Sequence, residues 1–157
     1  MTEDGGPAWR QTIFFPFAHM SRYGRGRVLR IETDAPTYET RYFDPRGAID
    51  QYYSLPKVPY LKLAAVHDAD AKSLTLFALN RHLHEGLPLE VKAEGFAGLA
   101  LDHALTLHDA DLKAVNIKAD PDRIKPSRLE SVAVGPSGVR ASLPPASWNV
   151  IRVKNAA

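Results

Sequence analysis

At 157 residues, 45% of them hydrophobic, the chain can bury one core, but it is too short for two domains or for a complete (β/α)₈ barrel, which takes about 250 residues. Lys and Arg number 20 against 18 Asp and Glu, a net charge of +2 with no long basic block, so a dedicated nucleic-acid surface is excluded. No cysteine is present, which excludes disulfide staples, thiolate nucleophiles and cysteine-based zinc sites and fits a reducing compartment. Glu3 and Asp4 stand where a secretory signal would be basic and then apolar, and no apolar run approaches the roughly 20 residues that span a bilayer. A cytoplasmic chain without membrane contact is expected.

Trp9, Ile13, Phe17 and Met20 recur at helical spacing and Gly24 stands at a C-capping position, so the pattern predicts a helix over residues 8–22. Pro16 removes a backbone donor and should bend or end that helix nearby. Phe14 and Phe15 extend the apolar surface beyond one stripe, and such a helix expects neighbours on several sides.

From Arg27 onward the period becomes two. Leu87, Leu89, Val91 and Ala93 alternate with polar residues, as do Leu101, His103, Leu105 and Leu107, and Val139, Ala141 and Leu143; each set should turn one face to a core. Tyr60 to Val66 and Leu74 to Leu79 are apolar on both faces and read as central strands covered twice. Short strands also fit Val28 to Glu32, Leu129 to Val134 and Trp148 to Val153. Turn residues fall between them at Asp68 to Asp70, Glu85-Gly86, Gly95 to Gly98, Gly135 to Gly138 and Pro144-Pro145. Seven or eight short strands without a helix-length insert predict an antiparallel sandwich. Residues 44–57 and 108–128 read as long connections.

His82 and His84 would share one side of a strand, yet a zinc site needs a third protein ligand, and a polar strand end at Asn80 to His82 leading into a turn at Glu85-Gly86 accounts for them better. Neither a metal nor a cofactor is expected. The carboxylate pairs Asp68/Asp70 and Asp120/Asp122 sit beside Ala or Pro in turn-like runs, where capping is their expected role rather than acid/base chemistry across a cleft. Ser21 to Gly26 contains Gly-x-Gly, but after a helix rather than before one, so it reads as a helix stop and a tight turn instead of a phosphate cradle. Tyr52, Tyr53 and Tyr60 are candidates for a sugar-stacking platform. Trp148 is expected to anchor the core.

Several separated motifs, in order, carry a family resemblance. They are Met1-Thr2-Glu3, Trp9 to Phe17, Tyr23 to Gly26, Val58 to Leu61, Phe77 to His82, Asp111 to Arg123 and Leu143 to Ile151. Over nearly the whole chain the sequence resembles the C-terminal region of the α-L-arabinofuranosidases of glycoside hydrolase family fifty-one, with residues 44–57 departing most. The resemblance implies an all-β, jelly-roll-like antiparallel β-sandwich preceded by one N-terminal helix left over from a (β/α)₈ barrel. It divides the chain into a terminal barrel segment, residues 1–26, and a C-terminal β-sandwich domain, residues 27–157.

Enzymes of that family are retaining hydrolases that release terminal α-L-arabinofuranosyl groups from arabinan and arabinoxylan oligosaccharides, part of L-arabinose metabolism. Their acid/base is a Glu preceded by Asn, and their nucleophile is a second Glu; both lie upstream of the matching region. Here Asn80, Asn116, Asn149 and Asn155 are followed by Arg, Ile, Val and Ala. No catalytic residue is therefore assigned, and the chain is expected to be inactive alone. The match begins at Met1, an internal position of the family pattern, so the reading is of a fragment lacking most of its barrel. Gln11, in Arg-Gln-Thr, is implied to contact substrate once the missing barrel is present. The expected partners are arabinose-containing oligosaccharides through the full enzyme, and either the missing barrel or a second copy through Trp9, Phe14, Phe15 and Phe17. A stand-alone carbohydrate-binding or interaction module is the alternative.

Overall fold

Period-two patterning beyond Arg27 becomes a layered arrangement of antiparallel strands in the computed structural model, which describes residues 4–44, 51–136 and 138–155. Met1 to Glu3 of the first motif, Ser137 of one turn and residues 45–50 lie outside the described residues. In chain order the elements are α1 (Phe14–Tyr23), β1 (Arg27–Val28), β2 (Thr37–Asp44), β3 (Gln51–Pro59), β4 (Leu61–Asp68), β5 (Ser73–Asn80), β6 (Leu87–Lys92), β7 (Leu99–Leu107), β8 (Ser127–Arg128), β9 (Val132–Gly135), β10 (Gly138–Leu143) and β11 (Ser147–Asn155). A six-stranded sheet runs β1-β4-β5-β11-β7-β8, a three-stranded sheet runs β6-β10-β9, and β2 pairs with β3 as a hairpin. The expected antiparallel sandwich behind a single helix is what the chain builds. None of the described helices is long and apolar enough to cross a membrane.

The sandwich core lies between the two larger sheets. Leu74, Leu76 and Ala78 of β5, Ala104 of β7, and Ile151 and Val153 of β11 pack with Leu87 and Leu89 of β6 and Val139 and Leu143 of β10. Each large apolar side chain so buried contributes about 1.5–3 kcal/mol. The other face of the six-stranded sheet carries Val66, Phe77 and Val150, packed with Leu105, Trp148 and Tyr23 from the end of α1. Two covered faces explain why Leu74 to Leu79 is apolar throughout: β5 has a packed layer on both sides.

Several expectations are corrected. The helix begins at Phe14 rather than residue 8, because Pro16 falls in its first turn, where backbone N–H groups have no helical acceptor and the missing donor costs nothing. Gly24 does close it, donating its N–H to the Met20 carbonyl at 2.8 Å. Residues 51–57, read as part of the connection over 44–57, belong to β3 and pair with β2; their short alternation of Tyr, Ser, Lys and Pro gave no apolar face to recognise. The strand expected over 28–32 shrinks to Arg27–Val28, and the one expected over 129–134 shortens to β9, with β8 just before it at Ser127–Arg128.

The face of β7 is also inverted. Ala104 and Thr106 point into the sandwich core, whereas His103 and Leu105 point toward α1. The register against β11 shifts between Arg152 and Val153, leaving Asp102 as an extra residue, a bulge that reverses which parity faces inward. Gly26 completes the turn into β1 at φ +121°, where a Cβ would lie 2.3 Å from the His67 carbonyl oxygen of the paired strand, so only glycine fits.

Candidate functional site

The residues preceding α1 are irregular, and their position is set by one buried side chain. Asn116, 1% exposed, donates from Nδ2 to the carbonyls of Arg10 and Ile124, both at 2.9 Å, and accepts at Oδ1 from the Ile124 N–H at 2.8 Å. Its own carbonyl accepts from Trp9 Nε1 at 3.1 Å and from Gln11 Nε2 at 2.8 Å. Three consecutive residues, Trp9 to Gln11, are thereby fastened to the connection between β7 and β8. Arg10 also reaches Asp122 at 3.6 Å and lies over the rings of Phe14 and Phe15. Within the connection Asp111 accepts from the Lys113 N–H and pairs with Arg123 at 3.0 Å, so the turn is held from inside.

Above this joint is an open concavity of about 750 Å³ lined by Trp9, Arg10, Gln11, Phe14, Phe17 and Pro121 among others. Ile13, Phe14, Phe17 and Met20 are exposed on the same side of the chain, Phe17 to 70%, and Leu112, Val115 and Ile117 are exposed on the connection around Asn116. The apolar stripe of α1 thus faces outward. Phe15, at 6% exposure, is buried within the chain, which removes it from the residues offered to a partner.

The inward side of α1 is aromatic and polar. Tyr23 sits 4.9 Å from the His103 ring, with the Arg152 guanidinium over it at 5.5 Å. Trp148 stacks on Phe77 and donates its indole N–H to His19 Nδ1 at 3.2 Å. It anchors the core between helix and sheet, packed against the cluster of Val66, Phe77 and Val150, as expected. Burial, followed by the charges of His103 and Arg22, lowers the His19 pKa. Asp102, in the β7 bulge, accepts from Lys154 at 2.9 Å and pairs with Arg152 and His103; the Lys154 hydrogen bond is the main reason its carboxyl pKa is lowered.

The remaining candidates take structural places. His82 Nδ1 accepts from the backbone N–H groups of His84 and Glu85, and the segment is a turn rather than a strand, so the two histidines do not form a ligand pair. Among the described residues no group of three or more His, Asp or Glu is placed to hold a metal. Asp68 Oδ1 caps a turn by accepting from the Ala71 N–H, while Asp120 closes a small bridge with Ile117. Tyr52 and Tyr53 are consecutive on β3 and so face opposite sides of the hairpin, and Tyr60 is enclosed between Tyr38 and His82. The three tyrosines therefore do not form one sugar platform.

The chain matches the family described as the α-L-arabinofuranosidase C-terminal domain over residues 1–147. It belongs to that family. Among curated members, the intracellular exo-α-(1→5)-L-arabinofuranosidase of Streptomyces lividans is 41% identical over 152 residues, covering 97% of this chain and 21% of that enzyme. The corresponding enzyme of Halalkalibacterium halodurans is 36% identical, covering 98% of this chain and 28% of its own length. A solved family fifty-one α-L-arabinofuranosidase from Bifidobacterium longum superposes with a TM-score of 0.77 at 28% identity, over 96% of this chain and 27% of that one. The arabinofuranosidase of Thermotoga maritima shares the fold, with a TM-score of 0.79 at 20% identity over 96% of this chain and 30% of its own. The chain thus spans roughly a quarter of the length of these relatives, and it is their C-terminal β-sandwich portion.

Sequence reasoning quoted Asn116 only as part of a motif and missed its role as the joint. A lone Asn between Val115 and Ile117 was the available signal, since a polar residue amid apolar neighbours is retained where it is hydrogen-bonded.

Proposed function

We propose that this chain serves as the non-catalytic C-terminal portion of an intracellular α-L-arabinofuranosidase that releases terminal α-L-arabinofuranosyl groups from arabinan and arabinoxylan fragments. In this reading residues 1–26 are the closing segment of a catalytic barrel and residues 27–157 are the sandwich that buttresses it. The observation that carries the reading is the joint at Asn116. It holds Trp9 to Gln11 in place while Ile13, Phe14, Phe17, Met20, Leu112, Val115 and Ile117 stand exposed around it, an apolar surface of the kind that marks a protein interface.

The barrel is the partner that such a face fits. Gln11 is fixed by its amide nitrogen, leaving the amide oxygen to accept from a sugar hydroxyl once the barrel completes the concavity. Retaining hydrolysis needs two carboxyl groups about 5 Å apart, one as acid/base and one as nucleophile, and the Asn-Glu that marks the acid/base is missing from the sequence. Incubating the purified chain with an aryl α-L-arabinofuranoside should give no turnover. Release of the aryl group above background would overturn the assignment.

A further inference from the structure

Beside the packing of Tyr23, one polar contact ties α1 to the six-stranded sheet, and it depends on the protonation state of one of its members. An indole N–H only donates, and Trp148 donates to His19 Nδ1 at 3.2 Å. His19 can accept there only as neutral imidazole with its proton on Nε2. Adding a proton at Nδ1 turns donor against donor and places a cation in a partly buried seam.

The charged groups around that seam leave little to compensate it. On α1 the neighbours are Arg22 and Tyr23; β7 contributes His103; β11 contributes Arg152, whose guanidinium covers the Tyr23 ring. Asp102, the carboxylate among the described residues that faces this seam, is already engaged by Lys154 at 2.9 Å, by His103 at 3.2 Å and by Arg152 at 3.4 Å. Phe77, beneath Trp148 on β5, adds no charge.

We propose that His19 and Trp148 form a pH-released latch: neutral His19 fastens α1 to the sheet, and protonation frees α1 together with its exposed Ile13, Phe17 and Met20 face. The latch does not depend on what packs against that face. The direction follows from linkage. An unfolded or undocked His19 titrates near its ordinary value of about 6.5 and the docked one lower, so docking is undiminished above about pH 6.5. It weakens as the pH falls through that value toward the docked pKa, because the undocked state then binds more protons.

Hydrogen exchange on the isotope-labelled chain tests this directly. Between about pH 7.5 and 5.5, protection factors of the α1 amides should fall several-fold relative to those of β5 and β11, with the Trp148 indole proton shifting along the His19 titration. A constant ratio would overturn the latch. His19→Gln retains an acceptor for the indole and does not titrate, so it should abolish the pH dependence; the same loss in this variant assigns the effect to another group, such as His103, and overturns the proposal. Trp148→Phe keeps a ring on Phe77 without the N–H, and the His19 titration, read by NMR, should move toward its ordinary value. An unmoved titration in that variant contradicts the proposal whether or not His19→Gln folds.

Discussion

Asn116 satisfies three backbone groups with one amide, the part-buried carbonyl of Arg10 and the buried N–H and carbonyl of Ile124. Asn116→Ala strands them, and with each unsatisfied buried group costing about 1–3 kcal/mol, partly relieved by water, a net loss of about 2–4 kcal/mol is expected. The urea midpoint should fall with an unchanged slope. Gly26→Ala tests a steric rather than a polar demand. Its Cβ meets the His67 carbonyl oxygen at a positive φ, so a cost of about 1–3 kcal/mol should appear as a lower Tm. Asp102 supplies the carboxylate of the helix–sheet seam. Because the Lys154 hydrogen bond lowers its pKa, its contribution is present above the ordinary carboxylate value of about 3.9 and is lost as the pH falls through the folded value. Asp102→Asn should therefore lower stability at neutral pH, with the difference from the parent chain shrinking below about pH 4.

At the scale of elements, burial divides substitutions that look alike in the sequence. Leu76, 1% exposed in the doubly covered β5, should lose about 2–5 kcal/mol on truncation to Ala, whereas Phe17→Ser on the outer face of α1 should change stability by less than about 0.5 kcal/mol. Chemical denaturation of the two variants side by side checks the contrast. Much of this level was legible beforehand. The apolar run of β5, the alternation of β6 and β10, and the glycine stop of α1 all report local periodicity, which the sequence states directly. What was hidden depends on distant partners. The bulge at Asp102 inverts β7 through its register with β11, and the outward stripe of α1 is indistinguishable in a linear chain from an inward one. β2 and β3 are held by each other and carry aromatic residues on both faces, so no alternation marks them. The joint at Asn116 spans more than a hundred residues of sequence, and no local pattern could join Gln11 to it.

For the whole molecule, three layers follow from these parts: α1 on one face of the six-stranded sheet and the three-stranded sheet on the other. That arrangement explains why a chain spanning about a quarter of its arabinofuranosidase relatives still builds a core of its own, and why its apolar surface gathers around α1 and the Asn116 connection. We propose that a catalytic barrel packs against this surface. Calorimetric titration of the chain with the Streptomyces lividans relative shortened to the residues that precede its matched segment tests this. Saturable binding that is lost in Phe17→Asp is the predicted result. Absence of binding by the parent chain, or binding that Phe17→Asp leaves intact, would contradict the claim.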